Sequence, residues 1–196
     1  MVLATKNEGK RREFVELLGR LPLEVVSLAG WPEVEMAPET GTTFAENALL
    51  KARRAATGTG LPAVADDSGL EVDYLNGEPG IYSARFAGDD RDDQRNNAKL
   101  LELLATVPRE NRTCRFRCAL AVVTPAGKEW VVEGTCEGLV AFAPRGSGGF
   151  GYDPLFYLPE YDCTMAELPP EVKNKISHRA KAVARAMPIL QEVMSV

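Results

Sequence analysis

Met1-Val2-Leu3-Ala4-Thr5-Lys6-Asn7-Glu8-Gly9-Lys10, with Phe14, Leu17, Leu18 and Leu21 spaced behind it, decides the fold class. Val2 to Thr5 reads as a short apolar strand, and the i, i+3, i+4, i+7 spacing of the four apolar residues is the stripe of an amphipathic helix. The chain therefore opens as strand, loop, helix. A second helix is marked by Thr43-Phe44-Ala45-Glu46, a capping box in which Glu46 accepts from the Thr43 N–H. Ala48, Leu49, Ala52, Ala55 and Ala56 give that helix a close-packing face, and Gly58 stops it. Leu61 to Ala65 is then a buried strand ending in Asp66-Asp67-Ser68-Gly69, and Leu70 to Asp73 alternates up to an Asn76-Gly77 turn.

The second half changes character. Asp89 and Asp90 are cap candidates for a third helix, with Ala98, Leu101, Leu104 and Ala105 on one side. From Thr113 to Phe142 three antiparallel β segments are predicted: one with Cys114, Phe116, Cys118, Leu120 and Val122 on a shared face, then Trp130 to Glu133, then Leu139 to Phe142. Arg145 to Gly151 is a glycine-rich loop. Ser177 caps a last helix whose face carries Ala180, Val183, Ala184 and Met187 and which ends at Pro188.

The 196 residues are 45% hydrophobic and 26% charged, enough for one compact domain or two small lobes. A net charge of -5 excludes the general basic surface that coating a nucleic acid requires. No apolar run approaches the roughly 20 residues of a bilayer span, and Met1 leads into a strand rather than a signal peptide, so a cytoplasmic protein is expected. The four cysteines form no C-x-x-C pair, and the single histidine, His178, is remote from them in sequence. Reduced core thiols are the reading, and a zinc site is not.

Several segments carry chemistry. Thr5, Lys6, Asn7, Glu8, Gly9 and Lys10 lie where backbone N–H groups and a helix dipole converge on an anion, although Asn7 also suits a plain N-cap. Asp66 and Asp67, adjacent on a strand, point to opposite sides of the chain, so one of them faces any given pocket. Such carboxylates hold Mg²⁺ or orient water, with an Asx-type turn as the bland reading. Glu39 is a further metal-ligand candidate, and Asn47 and Lys51 are i, i+4 neighbours that can project together. Gly149-Phe150-Gly151-Tyr152-Asp153 joins glycines to aromatics that stack on a base. Lys173, Ser177, His178 and Arg179 add donors, a neutral His178 imidazole among them.

Thr5-x-Asn7-x-x-Lys10, Glu39-Thr40-Gly41, Phe44-x-Glu46-Asn47-Ala48-x-x-Lys51-Ala52, Ala65-Asp66-Asp67-Ser68-Gly69-Leu70, Pro79-Gly80-Ile81-Tyr82-Ser83-Ala84-Arg85, Gly149-Phe150-Gly151-Tyr152-Asp153-Pro154 and Ser177-His178-Arg179 together resemble the inosine triphosphate pyrophosphatase family, the Ham1 or RdgB-like purine NTP pyrophosphatases. The resemblance implies an α/β fold, a long mixed β-sheet flanked by helices, in a single catalytic domain over residues 1–196 whose two lobes hold the active site in the cleft between them. It implies a homodimer and Mg²⁺-dependent hydrolysis of ITP, dITP and XTP to the monophosphate and pyrophosphate. Asp67 would be the general base and a metal ligand with Glu39, and Asp66 would support them. Thr5, Asn7 and Lys10 would hold the triphosphate in the Thr5–Lys10 loop, with Lys51 as a further contact. Ser68, Phe150, Gly151, Tyr152, Asp153, Lys173, His178 and Arg179 would line the nucleotide pocket, with Arg179 and His178 donating to the 6-keto edge. Lys6 stands where the family commonly has a small residue. The alternatives are a non-hydrolysing purine nucleotide sensor and a Maf-like pyrophosphatase for modified pyrimidine triphosphates.

Overall fold

The computed structural model describes residues 1–19 and 24–194. In chain order the elements are β1 (Val2–Leu3), α1 (Glu8–Leu18), β2 (Val26–Ser27), α2 (Phe44–Thr59), β3 (Ala63–Val72), α3 (Asp93–Leu103), β4 (Thr113–Val123), β5 (Glu129–Val140), β6 (Phe156–Leu158), β7 (Cys163–Thr164), α4 (Pro170–Ile176) and α5 (His178–Met194). The described strands form one seven-stranded sheet in the order β2-β1-β3-β4-β5-β6-β7. β1 pairs in parallel with β2 and β3, aligning Val2 with Val26 and with Ala63. β6 pairs antiparallel with both β5 and β7. This is the mixed α/β sheet that the strand–helix opening and the later β-rich stretch predict.

The chain divides into two compact units, residues 1–67, 118–134 and 178–196 in the first, 68–117 and 135–177 in the second. The core of the first gathers Leu3, Phe14, Leu18, Val64, Leu120, Val122, Val183 and Leu190. Phe14 and Leu18 thus bury the predicted stripe of α1, and Leu21 lies outside the described residues. Gly134 lets α5 approach: a Cβ there would stand 2.1 Å from the His178 carbonyl oxygen and 2.5 Å from the Ala182 nitrogen. The core of the second unit gathers Leu70, Val72, Leu100, Leu104, Phe116, Tyr152, Phe156 and Met165, with Phe116 and Phe156 stacked at 4.3 Å. Arg112, buried beside it, donates to the carbonyls of Val140, Leu104, Val107 and Ala141 at 2.7 to 3.3 Å, so its guanidinium satisfies backbone rather than an acid.

Several boundaries differ from the sequence expectation. Asp66-Asp67-Ser68-Gly69 is the middle of a ten-residue strand and not its end. Two adjacent acids read as a turn because an unpaired buried carboxylate is costly, but cations meet both of them here. The predicted segment Trp130–Glu133 and the first two residues of Leu139–Phe142 belong to one continuous β5, which ends at Val140 and leaves Ala141 and Phe142 outside it. α3 is capped by Asp92, which accepts from Gln94 and Arg95, rather than by Asp89 or Asp90. Its buried positions are Asn96 and Leu100, while Ala98 and Ala105 are exposed. α2 runs to Thr59 and closes on Gly60 at φ 68°, past the predicted stop. α5 continues through Pro188 to Met194, with Ala186 and not Ala184 on the buried face. Pro188 and Ala184 are both exposed, so the hydrogen bond that the proline removes lies on the solvent side of the helix.

Candidate active site

In the first unit, the loop after β1 is shaped by its own side chains. Asn7 is the N-cap of α1, its Oδ1 accepting from the Lys10 N–H at 2.9 Å, and Thr5 Oγ1 accepts from the Asn7 N–H at 3.2 Å. The N-cap reading is therefore correct. Lys6 and Glu8 are exposed, Glu8 pairing with Arg11 at 2.9 Å. Gly9 is half-buried between them and Lys10. The Lys10 ammonium turns to the other acid of the strand, 2.9 Å from Asp66 Oδ2.

The i, i+4 pair on α2 meets the neighbouring acid. Lys51 Nζ stands 3.0 Å from Asp67 Oδ1 and 3.2 Å from Glu39 Oε1. Asn47 Nδ2 donates to Asp67 Oδ2 at 3.2 Å, while its Oδ1 accepts from the Gly41 N–H at 2.8 Å. One asparagine therefore ties the Glu39–Gly41 segment and the Asp67 carboxylate to the same helical turn. Glu46 does not reach the Thr43 N–H first: it accepts from Thr42 N–H at 2.6 Å and Thr42 Oγ1 at 2.9 Å, bonds that hold its pKa below the usual value. The Thr43 hydroxyl completes the cap by accepting from Glu46 N–H. Glu46 is thus spent on the helix start and Glu39 is not.

Alternation along β3 separates the two aspartates electrostatically. Burial alone would push Asp66 up, but Lys10, Arg179 and Lys51 outweigh it and hold the carboxyl at about 2. Asp67 ends above the ordinary range, because burial dominates and Lys51 and Lys10 offset only part of it. Burial would lower Lys51, yet Asp67, Asp66 and Glu39 together raise it. The ammonium stays charged and Asp66 is held as an anion, while Asp67 is the acid of the pair whose pKa is raised. Arg179 gives Nη1 to Glu13 at 2.9 Å and places Nε 3.7 Å from Asp66. It joins the acid cluster, a partnership that nothing in the sequence signals. His178, 3% exposed, opens α5 beside it.

In the second unit, Asp153 and Lys173 form a buried pair at 2.5 Å, and Asp153 Oδ2 also accepts from Phe150 N–H at 2.9 Å. Gly149, at φ 71°, is required there: its Cβ would lie 1.9 Å from that carboxylate oxygen. The Lys173 ammonium lies 5.5 Å from the Phe150 ring centre. Tyr152 is buried in the core with its hydroxyl donating to the Ser83 carbonyl at 2.8 Å. Phe150, half-buried, is the aromatic with ring surface to offer. Ser68 follows Asp67 on β3, half-buried.

Glu39 Oε1 and Asp67 Oδ1 converge on one ammonium, and paired carboxylate oxygens are the donor set of a hard divalent cation. Among the described residues no group of three or more His, Cys, Asp or Glu side chains is arranged to hold a metal. A cation here would take two protein oxygens and complete its shell with water and substrate, as Mg²⁺ does in phosphate sites.

A mixed α/β sheet with a carboxylate of its central strand β3, Asp67, bridged by Lys51 to Glu39 from the segment before α2, and with a helix N-terminus in the same unit, is the equipment of an enzyme for phosphate-bearing substrates. The chain belongs to the Ham1 family, whose model matches residues 1–189. It is 58% identical over 185 residues to a dITP/XTP pyrophosphatase of Geobacillus kaustophilus, covering 94% of this chain and 91% of that protein. It is 55% identical to a dITP/XTP pyrophosphatase of Desulforamulus reducens, covering 98% and 96%. The solved structure of a HAM1 protein from Coxiella burnetii superposes with a TM-score of 0.88 at 42% identity, over 97% of this chain and 98% of that one. Among the described residues no helix is long and apolar enough to cross a membrane.

Proposed function

We propose that this chain hydrolyses dITP, ITP and XTP to the nucleoside monophosphate and pyrophosphate with Mg²⁺ as cofactor, acting over residues 1–196 as one two-lobed catalytic domain in a cytoplasmic homodimer. The observation that carries the reading is Asp67, a buried carboxylate aimed by Asn47 and Lys51 and kept readier for a proton than its neighbour Asp66. Asp67 accepts a proton from water as the oxygen attacks the α-phosphorus. The bond from that phosphorus to its bridging oxygen breaks, and pyrophosphate leaves. Lys10, Lys51 and the N–H groups of the Thr5–Lys10 loop offset the charge of the phosphates. When bound at Glu39 and Asp67, Mg²⁺ supplies further charge neutralisation on phosphate oxygens. Phe150 stacks on the base without regard to its substituents. His178 and Arg179 are assigned to the 6-keto edge that hypoxanthine and xanthine share, Arg179 serving also as counter-ion to Asp66.

Pyrophosphate release from dITP, ITP, XTP, GTP, ATP and UTP, with and without Mg²⁺, tests the reading. Turnover of dITP, ITP and XTP well above ATP and UTP is expected. Preference for UTP would favour a pyrimidine-directed pyrophosphatase, and tight dITP binding without pyrophosphate would favour a sensor.

The two glutamates of the Glu39–Glu46 segment should part company. Glu39→Gln weakens a metal ligand and should raise the Mg²⁺ concentration for half activity about tenfold, as a carboxylate becomes a neutral amide. Glu46→Gln keeps an acceptor for the Thr42 groups and should shift that midpoint less than about twofold. A Mg²⁺ titration with the larger shift in Glu46→Gln would reverse the assignment.

A further inference from the structure

We propose that Asp93 and Asn97 are positioning residues for the nucleotide pocket: from the first two turns of α3 they grip Gly151 by its N–H and by its C=O and thereby set Phe150. The inference rests on the reading of the Gly149–Asp153 loop as the base-binding loop. Gly151 N–H donates to Asp93 Oδ2 at 2.8 Å, and Asn97 Nδ2 donates to the Gly151 carbonyl at 3.0 Å. The two side chains are i, i+4 on the helix and therefore lie on one face of it.

Three observations give this contact a task beyond helix formation. First, α3 already has its cap, because Asp92 Oδ1 accepts from the N–H groups of Gln94 and Arg95 at 2.8 and 3.1 Å. Asp93, the next acid, is surplus to the helix start and turns to the loop instead. Second, Gly151 sits at φ 61°, a left-handed conformation that an unrestrained loop residue leaves readily. Fixing its N–H and its C=O at once removes that freedom. Third, the other bonds of the loop fall on either side of this residue. Asp153 holds the Phe150 N–H, and the Tyr152 hydroxyl holds Ser83, whose own hydroxyl accepts from Leu70 N–H at 2.9 Å on β3. Asp153 N–H also donates to the Phe150 carbonyl at 3.2 Å, closing a turn across Gly151 and Tyr152, and the α3 clamp fixes the polar groups of Gly151 inside that turn. The neighbouring Asn96 does the same for the segment before α3, accepting from Ala87 N–H at 2.7 Å and donating to the Ala84 carbonyl at 3.1 Å.

Because the clamp fixes a loop and touches no reacting atom, its loss should appear in KM and leave kcat nearly unchanged. Asp93→Ala and Asn97→Ala are each expected to raise KM for dITP about three- to tenfold, the factor that one net hydrogen bond carries. In the ligand-free enzyme, amide hydrogen exchange over residues 148–153 should quicken about fivefold or more in both variants. Asp93→Asn, which keeps an acceptor oxygen, should restore both readouts to within about twofold of wild type. Asp92→Ala is the control: it removes the cap, lowers Tm, and should leave KM and the 148–153 exchange as in wild type. Unchanged exchange in Asp93→Ala and Asn97→Ala, or unchanged KM for dITP in both, overturns the proposal. So does an equal KM increase in Asp92→Ala, which would make the effect one of helix stability. If wild-type enzyme turned over no purine triphosphate, the functional reading would fall while the exchange measurement still decided the clamp.

Discussion

Asp67→Asn should lose about 10² to 10⁴ of turnover, the usual worth of a positioned general base, while KM for dITP changes little. Asn retains the shape and an acceptor for Lys51 but cannot take the proton from water. The acid limb of kcat/KM should carry the same residue. Burial holds Asp67 above the ordinary carboxylate range against the partial offset of Lys51 and Lys10, so activity falls as pH drops through that raised pKa. Retention of kcat within about threefold of wild type would remove Asp67 from the chemistry. Stability makes the second half of the expectation. An acid whose folded pKa lies above its unfolded one costs stability when ionised, and that cost is present at neutral pH and vanishes as pH falls below the unfolded value. Asp67→Asn removes the buried anion, so its Tm should equal or exceed that of wild type. A catalytic group held at a cost to the fold is a common trade between activity and stability.

Much of this site was legible because its signals are local. The Asn7 cap, the Lys51–Asn47 spacing and the Phe150–Asp153 loop each depend on residues a few positions apart, where helix and turn rules apply directly. The strand through Asp66-Asp67-Ser68-Gly69 was misread for the opposite reason. Its acids are tolerable only because Lys10 and Lys51 reach them from other elements, and no local pattern shows a partner 56 or 16 residues away. Arg179 is the same case: its chemistry suggests a purine edge, and its neighbours in the structure include Glu13 and Asp66. The sequence marks Asn47 only as an i, i+4 neighbour of Lys51, because the Gly41 N–H that it fixes belongs to an irregular segment with no periodicity to read. The Asp92–Asp93 division of labour was hidden by four acids in five residues, Asp89 to Asp93, any of which satisfies the rule for a cap.

Lys51→Met should be the most destructive single change in the first unit, costing about 3 to 5 kcal/mol of stability, as removal of one partner from a buried ion pair does. Met conserves the length and apolar stem of lysine, so the loss is of charge and not of packing. What remains is three acids, Glu39, Asp66 and Asp67, sharing a site from which the bridging ammonium has gone. Asp66 keeps Lys10 and Arg179 as counter-charges. Asp67 keeps only the amide of Asn47 among its short side-chain contacts described above, and its pKa must climb further. The sign with pH follows. In Lys51→Met the ionised Asp67 is the destabilising species, so the variant should gain stability relative to wild type as pH falls from 8 toward the unfolded value of a carboxylate near 4. In the wild type the Lys51 contribution is lost only as pH rises through its own raised pKa, far outside that window. The double variant Lys51→Met/Asp67→Asn separates charge from structure, because it removes the stranded anion along with the cation. Urea unfolding at pH 8 should find it about 2 kcal/mol or more above Lys51→Met alone, a coupling of the size expected for contacting partners. Additive losses in that cycle, with no dependence on pH between 4 and 8, would mean that Lys51 supports the fold through its aliphatic stem and not through Asp67.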